Sequence, residues 1–322
     1  MQKHSDKIVT IFGGTGFLGR HVVRKLAARG VRVRVVTRAC ESAYKLQVSG
    51  DAGQIVPVSC DYDDEESVAA VIRGSDLIVN CIGILFEKGK KRTFQRVHVE
   101  LPALIAKLCM DEGVKRFVHV SALGCNAGIS RYARSKLEGE KVVKSYFHKA
   151  TIIRPGVMFG ADDNFFNMLA EAMRYAPFMP LIGGGKTKLQ PVFVGDVAAA
   201  IVKVICAPMD KHLGVTYQLG GPEIIDFKGI YDFILKYTER RQKFVNTPYK
   251  LAKYMAWFME LMPHPTLTRD QVNSLKTDSV VMDGSPDFGS FEIKPKSIHV
   301  VVPEYIERFR DGGAISRFKT IA

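Results

Sequence analysis

Tyr132 and Lys136 stand four residues apart in SRYARSKLEGEKVV, a stretch whose composition reads as a helix. That spacing puts both side chains on one helical face. An ammonium group beside a phenol makes the phenol easier to ionise, which suits it to pass a proton during hydride chemistry. The same two groups can instead hydrogen-bond the hydroxyls of a bound sugar. The residues alone leave open whether the pair catalyses, only holds a ligand, or lies unused on a helix surface.

A second group of residues suggests what that ligand is. Gly13, Gly16 and Gly19 in GGTGFLG fall at G-x-x-G-x-x-G spacing between the strand-like run KIVTIF (7–12) and a helical pattern from Phe17 to Arg29. Glycines there let the backbone turn tightly and approach a pyrophosphate, which the amides and dipole of the helix N-terminus then meet. The second strand, VRVRVVTR (31–38), ends in Arg38 where an acid would bind the ribose 2′-hydroxyl of NAD(H). A guanidinium pairs instead with a 2′-phosphate, so the pattern favours NADP(H), with Arg20 as a second contact and NAD(H) as the other possibility. The plain alternative is a solvated charge at a strand end. Asp61, in SCDYDD, closes the third strand where an adenine amino group needs an acceptor, and Cys81, Ile82 and Gly83 line the exit of the fourth.

These residues must be positioned by the elements between them. Strand-like runs at 7–12, 31–38, 54–61, 76–83, 115–124 and 150–160 alternate with helical patterns, which predicts an α/β fold with a doubly wound parallel sheet. After Gly160 the rhythm breaks at a glycine loop, and QPVFVGDVAAAIVKVI adds one more strand and helix expected to return to the sheet. The division expected is a nucleotide-binding domain over 1–157 and 189–207. A smaller, mostly helical region over 158–188 and 208–322 is expected to pack over the carboxyl edge of the sheet, where ligands sit.

The bulk composition narrows the class. The 322 residues are 47% hydrophobic and 25% charged, an ordinary globular mixture. No run approaches the roughly 20 apolar residues of a membrane span, and MQKHSDK leads into the first strand without room for a signal peptide. Six cysteines at 40, 60, 81, 109, 125 and 206 show no metal-ligand spacing, and a reducing compartment suits them. The net charge of +13 points to an acidic partner: a phosphorylated ligand, anionic lipid, an acidic protein or nucleic acid. With no recognised module or aromatic stacking platform, nucleic acid is not expected.

Taken together, GGTGFLG, CDYDD, NCIG, Tyr132-x-x-x-Lys136, RPGVMFG and QPVFVGDVA, in this order over roughly the first 210 residues, resemble the extended or atypical short-chain dehydrogenase/reductases. HVSALG, SRYARSKLEGEKVV, the glycine loop running into KTKLQPVFVGDVA, and LTRDQVNSLKTDSVV (267–281) resemble one branch in particular: the NADPH-containing accessory subunits of respiratory complex I and their bacterial relatives. The resemblance implies a dinucleotide lined by Thr15, Phe17, Leu18, Tyr62, Ser121, Pro155 and Val157 as well as by the residues above. It also implies other complex I subunits as partners, and a peripheral seat on the inner (cytoplasmic or matrix) face of an energy-transducing membrane.

In the reductases so resembled, a serine or threonine two residues beyond the first serine of the fifth strand's end binds the substrate oxygen. Ser121 matches that first serine, and the substrate position falls on Leu123, which donates nothing. Losing one preorganised donor to an oxyanion costs roughly 3–4 kcal/mol. Only residues 122–131 separate Ser121 from Tyr132, and Ser121 itself or Ser130 are the available substitutes. Two functions follow: a mainly structural NADP(H)-binding subunit, or an active NADPH-dependent reductase or epimerase on a small, quinone-like or lipid-like substrate.

Two features fit a docking role. YKLAKYMAWFMELMPHP (249–265) places Leu251, Met255, Phe258 and Met262 on one stripe, widened by Tyr254 and Met259, with Lys253 and Glu260 opposite and Trp257 at the border. Such a helix can lie in an anionic membrane interface or pack on its own core. EKGKKRTFQR (87–96) reads as a basic loop, either solvated or in contact with acidic protein, lipid or phosphate.

Overall fold

The computed structural model describes residues 7–263 and 265–310. MQKHSD, at the head of the segment read as leaving no room for a signal peptide, lies outside them, as does His264 in the expected 249–265 helix. The first half alternates as anticipated: β1 (Ile8–Phe12), α1 (Phe17–Ala27), β2 (Arg32–Thr37), α2 (Glu41–Gln47), β3 (Ile55–Ser59), α3 (Glu65–Ile72), β4 (Leu77–Asn80), α4 (Leu101–Asp111), β5 (Arg116–Val120), α5 (Arg131–Tyr146) and β6 (Thr151–Pro155). Then follow β7 (Met158–Phe159), α6 (Phe166–Tyr175), β8 (Phe178–Ile182), β9 (Lys188–Leu189), β10 (Val192–Phe193) and α7 (Val194–Cys206). The last part holds β11 (Thr216–Leu219), β12 (Ile225–Asp226), α8 (Phe227–Thr238), β13 (Lys243–Thr247), α9 (Tyr249–Met259), α10 (Arg269–Ser274) and α11 (Ile298–Ile306).

Seven parallel strands form the sheet in the order β11-β6-β5-β4-β1-β2-β3. The direction of winding reverses between β1 and β4, so the crevice for a ligand opens at their carboxyl ends. Pro57 is tolerated in β3 because that strand is the sheet's edge. One face of the sheet is buried by α1 and α7 through Val22, Leu26, Ile201 and Val204, the other by α3, α4 and α5 through Ile72, Ile105 and Val143. Beyond the edge, α6, α8 and α11 enclose a third core around Phe166, Ile230, Phe233 and Val302.

The later elements differ from expectation in detail. The strand at 192–193 does not return to the main sheet but pairs with β7. The Gln190 carbonyl passes so close to Gly156 that a Cβ there would lie 2.2 Å from it, which carries the chain over the sheet's edge. The vacated edge is filled by β11, so the segment 208–322, expected outside the nucleotide-binding unit, supplies the seventh strand. The expected 249–265 helix ends at Met259, and its buried face is not the large apolar stripe: Ala252 and Ala256 pack inward with Ile182 and Val272, while Leu251, Tyr254, Phe258, Leu261 and Met262 are exposed.

The element that most affects the site has no counterpart in the sequence reading. Residues Gln95–Glu100, just before α4, form a π-helical turn, a wider winding that often marks functional positions. It presses against α5 where Gly139 has no side chain; a Cβ at Gly139 would meet the His98 carbonyl at 1.9 Å. Gly139→Ala must therefore push the two helices apart, and we expect it to lower the unfolding free energy by about 1–3 kcal/mol or more. A urea melt in which this variant matches the parent refutes that packing argument.

Candidate cofactor site

The glycine elbow is built by close backbone crossing. Gly13 has φ +73°, and a Cβ at Gly19 would lie 2.2 Å from the Gly13 carbonyl oxygen. Gly16 donates its N–H to Gly13 and caps α1 without a side-chain partner, and the first turn of α1 carries no acid. The leading amides at Phe17, Leu18 and Gly19 therefore face the crevice unneutralised. Thr15 is half-buried in the turn, and Phe17 packs on Gly160 of the RPGVMFG segment. Arg20 lies over the Phe17 ring at 5.4 Å and pairs with Asp162 at 3.1 Å, yet its Nε is buried without a partner. A diphosphate fits this arrangement: it supplies the negative charge that the amides and the orphaned guanidinium nitrogen lack.

Arg38 is exposed at the end of β2, with no ion pair among the described residues, and its charge acts on Tyr62. Tyr62 leans its hydroxyl towards the Val36 carbonyl at 3.4 Å, while burial pushes its phenol up. Asp61 is exposed beside them, with Oδ1 accepting from the Asp63 N–H at 2.9 Å. On the other side of the crevice Cys81 receives no charge: burial raises its thiol to about 12. Ile82 is held by Asn80 Oδ1 at 3.0 Å, and Gly83 leaves room for Lys136, whose Nζ would be 3.2 Å from a Cβ at that position.

Lys136 is 4% exposed and donates to the Val120 carbonyl at 3.3 Å. Burial lowers its ammonium to about 8, against the raising pull of Cys125, Glu140 and Cys81. Tyr132 does not show the lowered phenol that its spacing from Lys136 suggests. Burial pushes it up, and Cys125 adds to the rise. Its ring rests edge-on against Phe94 and His98. His98 was not anticipated; it accepts the Ile84 N–H at 3.0 Å, meets Ser135 Oγ at 2.9 Å, and burial drives it down to about 2, so it stays neutral. Only the π-helical turn brings it there, which no periodicity in the sequence announces.

The serines offered as substitutes for the missing donor are otherwise engaged. Ser130 caps α5 by accepting the Ala133 N–H at 3.1 Å. Ser121 is buried with its hydroxyl 3.8 Å from Cys125 Sγ, which in turn leans on Glu140. Leu123 is buried, its N–H on Pro155 and its carbonyl accepting from Ser279 Oγ at 3.1 Å. Val157 accepts from Val192 at the same edge.

The segment 267–281 proves to be a strap across this edge. Asp270 in α10 accepts the N–H groups of Arg131 and Tyr132 at 2.8 and 2.9 Å and so caps α5 from 138 residues away. Asp278 accepts the Lys188 N–H, and a Cβ on Gly124 would meet the Asp278 carbonyl at 3.3 Å. Protein thus covers the space beside Leu123.

With this geometry in view, comparison with known proteins gives a family. Residues 9–220 match the NAD dependent epimerase/dehydratase family. The chain belongs to that family. It carries the family's NAD(P)-binding Rossmann fold. It is 34% identical over 321 residues to the mitochondrial NADH dehydrogenase (ubiquinone) 1 alpha subcomplex subunit 9 of Arabidopsis thaliana, covering 96% of this chain and 79% of that one. The Mus musculus protein of the same name is 32% identical, with 95% and 81% covered. Among solved structures, the Citrobacter triphenylmethane reductase complexed with NADP(H) superposes with a TM-score of 0.72 at 17% identity, covering 94% of this chain and 99% of that one.

The buried lysine carries a stability signature. Between pH 8 and 10.5 the folded chain binds fewer protons than the unfolded one, so the Lys136 charge works against folding below about pH 8 and is relieved as the pH rises. Lys136→Met without nucleotide is expected to be more stable than the parent at pH 7, to lose that advantage by pH 10, and to bind dinucleotide more weakly. Urea melts at the two pH values check this; a variant less stable than the parent at pH 7 refutes it.

Proposed function

We propose that this chain is an NADP(H)-binding accessory subunit of respiratory complex I, peripheral to the membrane, in which the dinucleotide is mainly structural. The observation that carries the reading is the extent of likeness to complex I alpha subcomplex subunit 9. It covers 95–96% of the chain, well past residue 220 where the epimerase/dehydratase match stops, and so takes in regions with no generic dehydrogenase role. The relatives' names place them in mitochondria. No helix among the described residues is long and apolar enough to cross a membrane; the peripheral seat, on the matrix or cytoplasmic face, is part of the proposal.

When bound, the nicotinamide supplies a hydride donor or acceptor. In the proposed arrangement the elbow residues Gly13 to Arg20 hold the pyrophosphate, Arg38 the 2′-phosphate, and Asp61 with Tyr62 the adenine. Tyr132 and Lys136 hold the nicotinamide ribose, with Cys81 to Gly83, Ser121, Pro155 and Val157 as walls. Little turnover is expected, because Leu123 offers no hydrogen bond to an oxyanion and the strap crowds its flank. A bound ligand at 100 times its dissociation constant still stabilises the fold by about 2.7 kcal/mol, a sufficient reason to retain the site. The membrane partner is an anionic surface, met by the exposed apolar residues and lysines of α9.

Capture of the tagged chain from its native membrane is expected to recover complex I subunits and NADPH with it. The purified chain is expected to leave NADPH absorbance nearly constant with quinones or carbonyls. Steady consumption that disappears in Tyr132→Phe overturns the structural reading in favour of a reductase. Arg38→Asp is expected to weaken NADPH about tenfold or more beyond its effect on NADH, since it removes a charge-assisted contact. Equal weakening of both nucleotides, read by titration calorimetry, removes the 2′-phosphate assignment.

A further inference from the structure

A cavity of about 850 Å³ opens between the 86–89 loop, the N-terminus of α5 and the chain from the end of α9 to α10. One wall is apolar, from Phe86, Phe94, Met262, Pro263 and Pro265, and Phe94 is the ring that also supports Tyr132. Most of the remaining lining is charged, and its carboxylates are all engaged by the fold. Glu87 pairs with Arg131 at 2.8 Å and accepts the Phe94 N–H; Glu260 pairs with Arg269 at 2.8 Å; Asp270 accepts the two amides of α5. That accounts for both arginines. Two ammonium groups are left without a counter-charge: Lys253 has no partner among the described residues, and Lys88 reaches only the Pro263 carbonyl at 3.3 Å.

The apolar wall continues outward. Met262 belongs to the cavity and to the exposed strip with Phe258 and Leu261, the latter 72% exposed. With Asp270 bonded only to neutral amides, the lining holds four cations against three carboxylates, and that positive surplus beside apolar residues that continue into an exposed apolar strip matches an anion attached to a hydrocarbon chain. We propose that this cavity binds one anionic phospholipid, its phosphate between Lys253 and Lys88 and its acyl chains along Met262, Leu261 and Phe258. This rests on the membrane docking proposed above and sharpens it, from attraction to a charged surface to one headgroup in one site.

Dihexanoylphosphatidylglycerol below its micelle concentration tests the cavity without a membrane. Titration calorimetry is expected to show one lipid per chain, with dihexanoylphosphatidylcholine and inorganic phosphate both markedly weaker. Lys253→Gln is expected to weaken the anionic lipid about fivefold, and Met262→Asp to weaken it further by breaking the apolar wall. Lys45→Gln, on α2 and outside the cavity lining, is expected to leave it unchanged. Equal affinity for the two lipids, absence of saturable binding, or indifference to both cavity variants overturns the proposal. Phosphate alone binding as tightly as the lipid overturns it in favour of an anion site. Vesicles containing phosphatidylglycerol separate the two readings. If they fail to bind the protein while the monomeric lipid binds, membrane docking falls and the cavity stands; the reverse result removes the cavity alone.

Discussion

The buried ion pair between Glu140 and Arg154 anchors the helix that carries Tyr132 and Lys136 to the sheet. Both oxygens of the carboxylate are engaged, at 2.8 and 2.6 Å, and both side chains are almost wholly withdrawn from water. Breaking such a pair costs about 3–5 kcal/mol because the surviving buried charge loses its ion-pair partner. The pair joins the middle of α5 to β6 and so sets the height of that helix against the sheet. One turn earlier on the same face stands Lys136, and one further turn earlier Tyr132. The ion pair's position also explains Cys125, whose thiol, buried and facing Glu140, is pushed up to about 11 and behaves as packing rather than as a nucleophile.

Helix α5 is therefore constrained along its length by unrelated parts of the chain: Asp270 at its start, the π-helical turn against Gly139, and Arg154 beneath it. This dense support holds a lysine in a place it would not choose. An ammonium group buried among a backbone carbonyl, the neutral rings of His98 and His119 and the thiols of Cys81 and Cys125 is unfavourably placed, and burial holds it below its ordinary range against the pull of the Glu140 carboxylate. Sites of this kind are strained towards a ligand. In the proposed arrangement the hydroxyls of a bound sugar satisfy the lysine without neutralising it, and the aliphatic Leu123 offers no donor to a substrate oxygen.

What the sequence made legible follows the range of the physics involved. The glycine elbow and the parallel sheet are local: a turn, a helix start and a run of β-branched residues declare themselves within a dozen positions, and the alternation of strands and helices in the first half came out accordingly. Asp270 is different in kind, because nothing near it indicates that its carboxylate caps a helix 138 residues earlier. His98 was hidden by its setting in an apolar helical stretch. The face of α9 was left open between an interface and its own core for a stated reason. Amphipathic reasoning assumes that large apolar side chains turn inward, whereas this helix approaches its neighbours through Ala252 and Ala256, which allow backbones to come close, and leaves the large residues outside. An exposed apolar patch on a folded chain is informative for the reason that a buried one is not.

The basic surplus resolves in the same way once pairing is considered. In the 87–96 loop, Arg96 and Lys91 both close on Asp63, and Arg92 lies over Phe86. Those cations are spent on holding the loop, as the solvated-loop reading would have it in part. Lys88 and Lys253 are not spent, although they come from segments some 160 residues apart in the chain, and both lie where α10 connects the end of α9 to the cap of α5. Net charge alone could not separate these groups: +13 counts every lysine equally, while the desolvation and pairing that give a charge its chemical meaning depend on the fold. A cation without a counter-charge is one at which an anion gains most; among the described residues Arg38 at the end of β2 and Lys88 and Lys253 beside the apolar strip are of that kind, while Arg20 keeps a buried, unpartnered Nε beside its pair with Asp162.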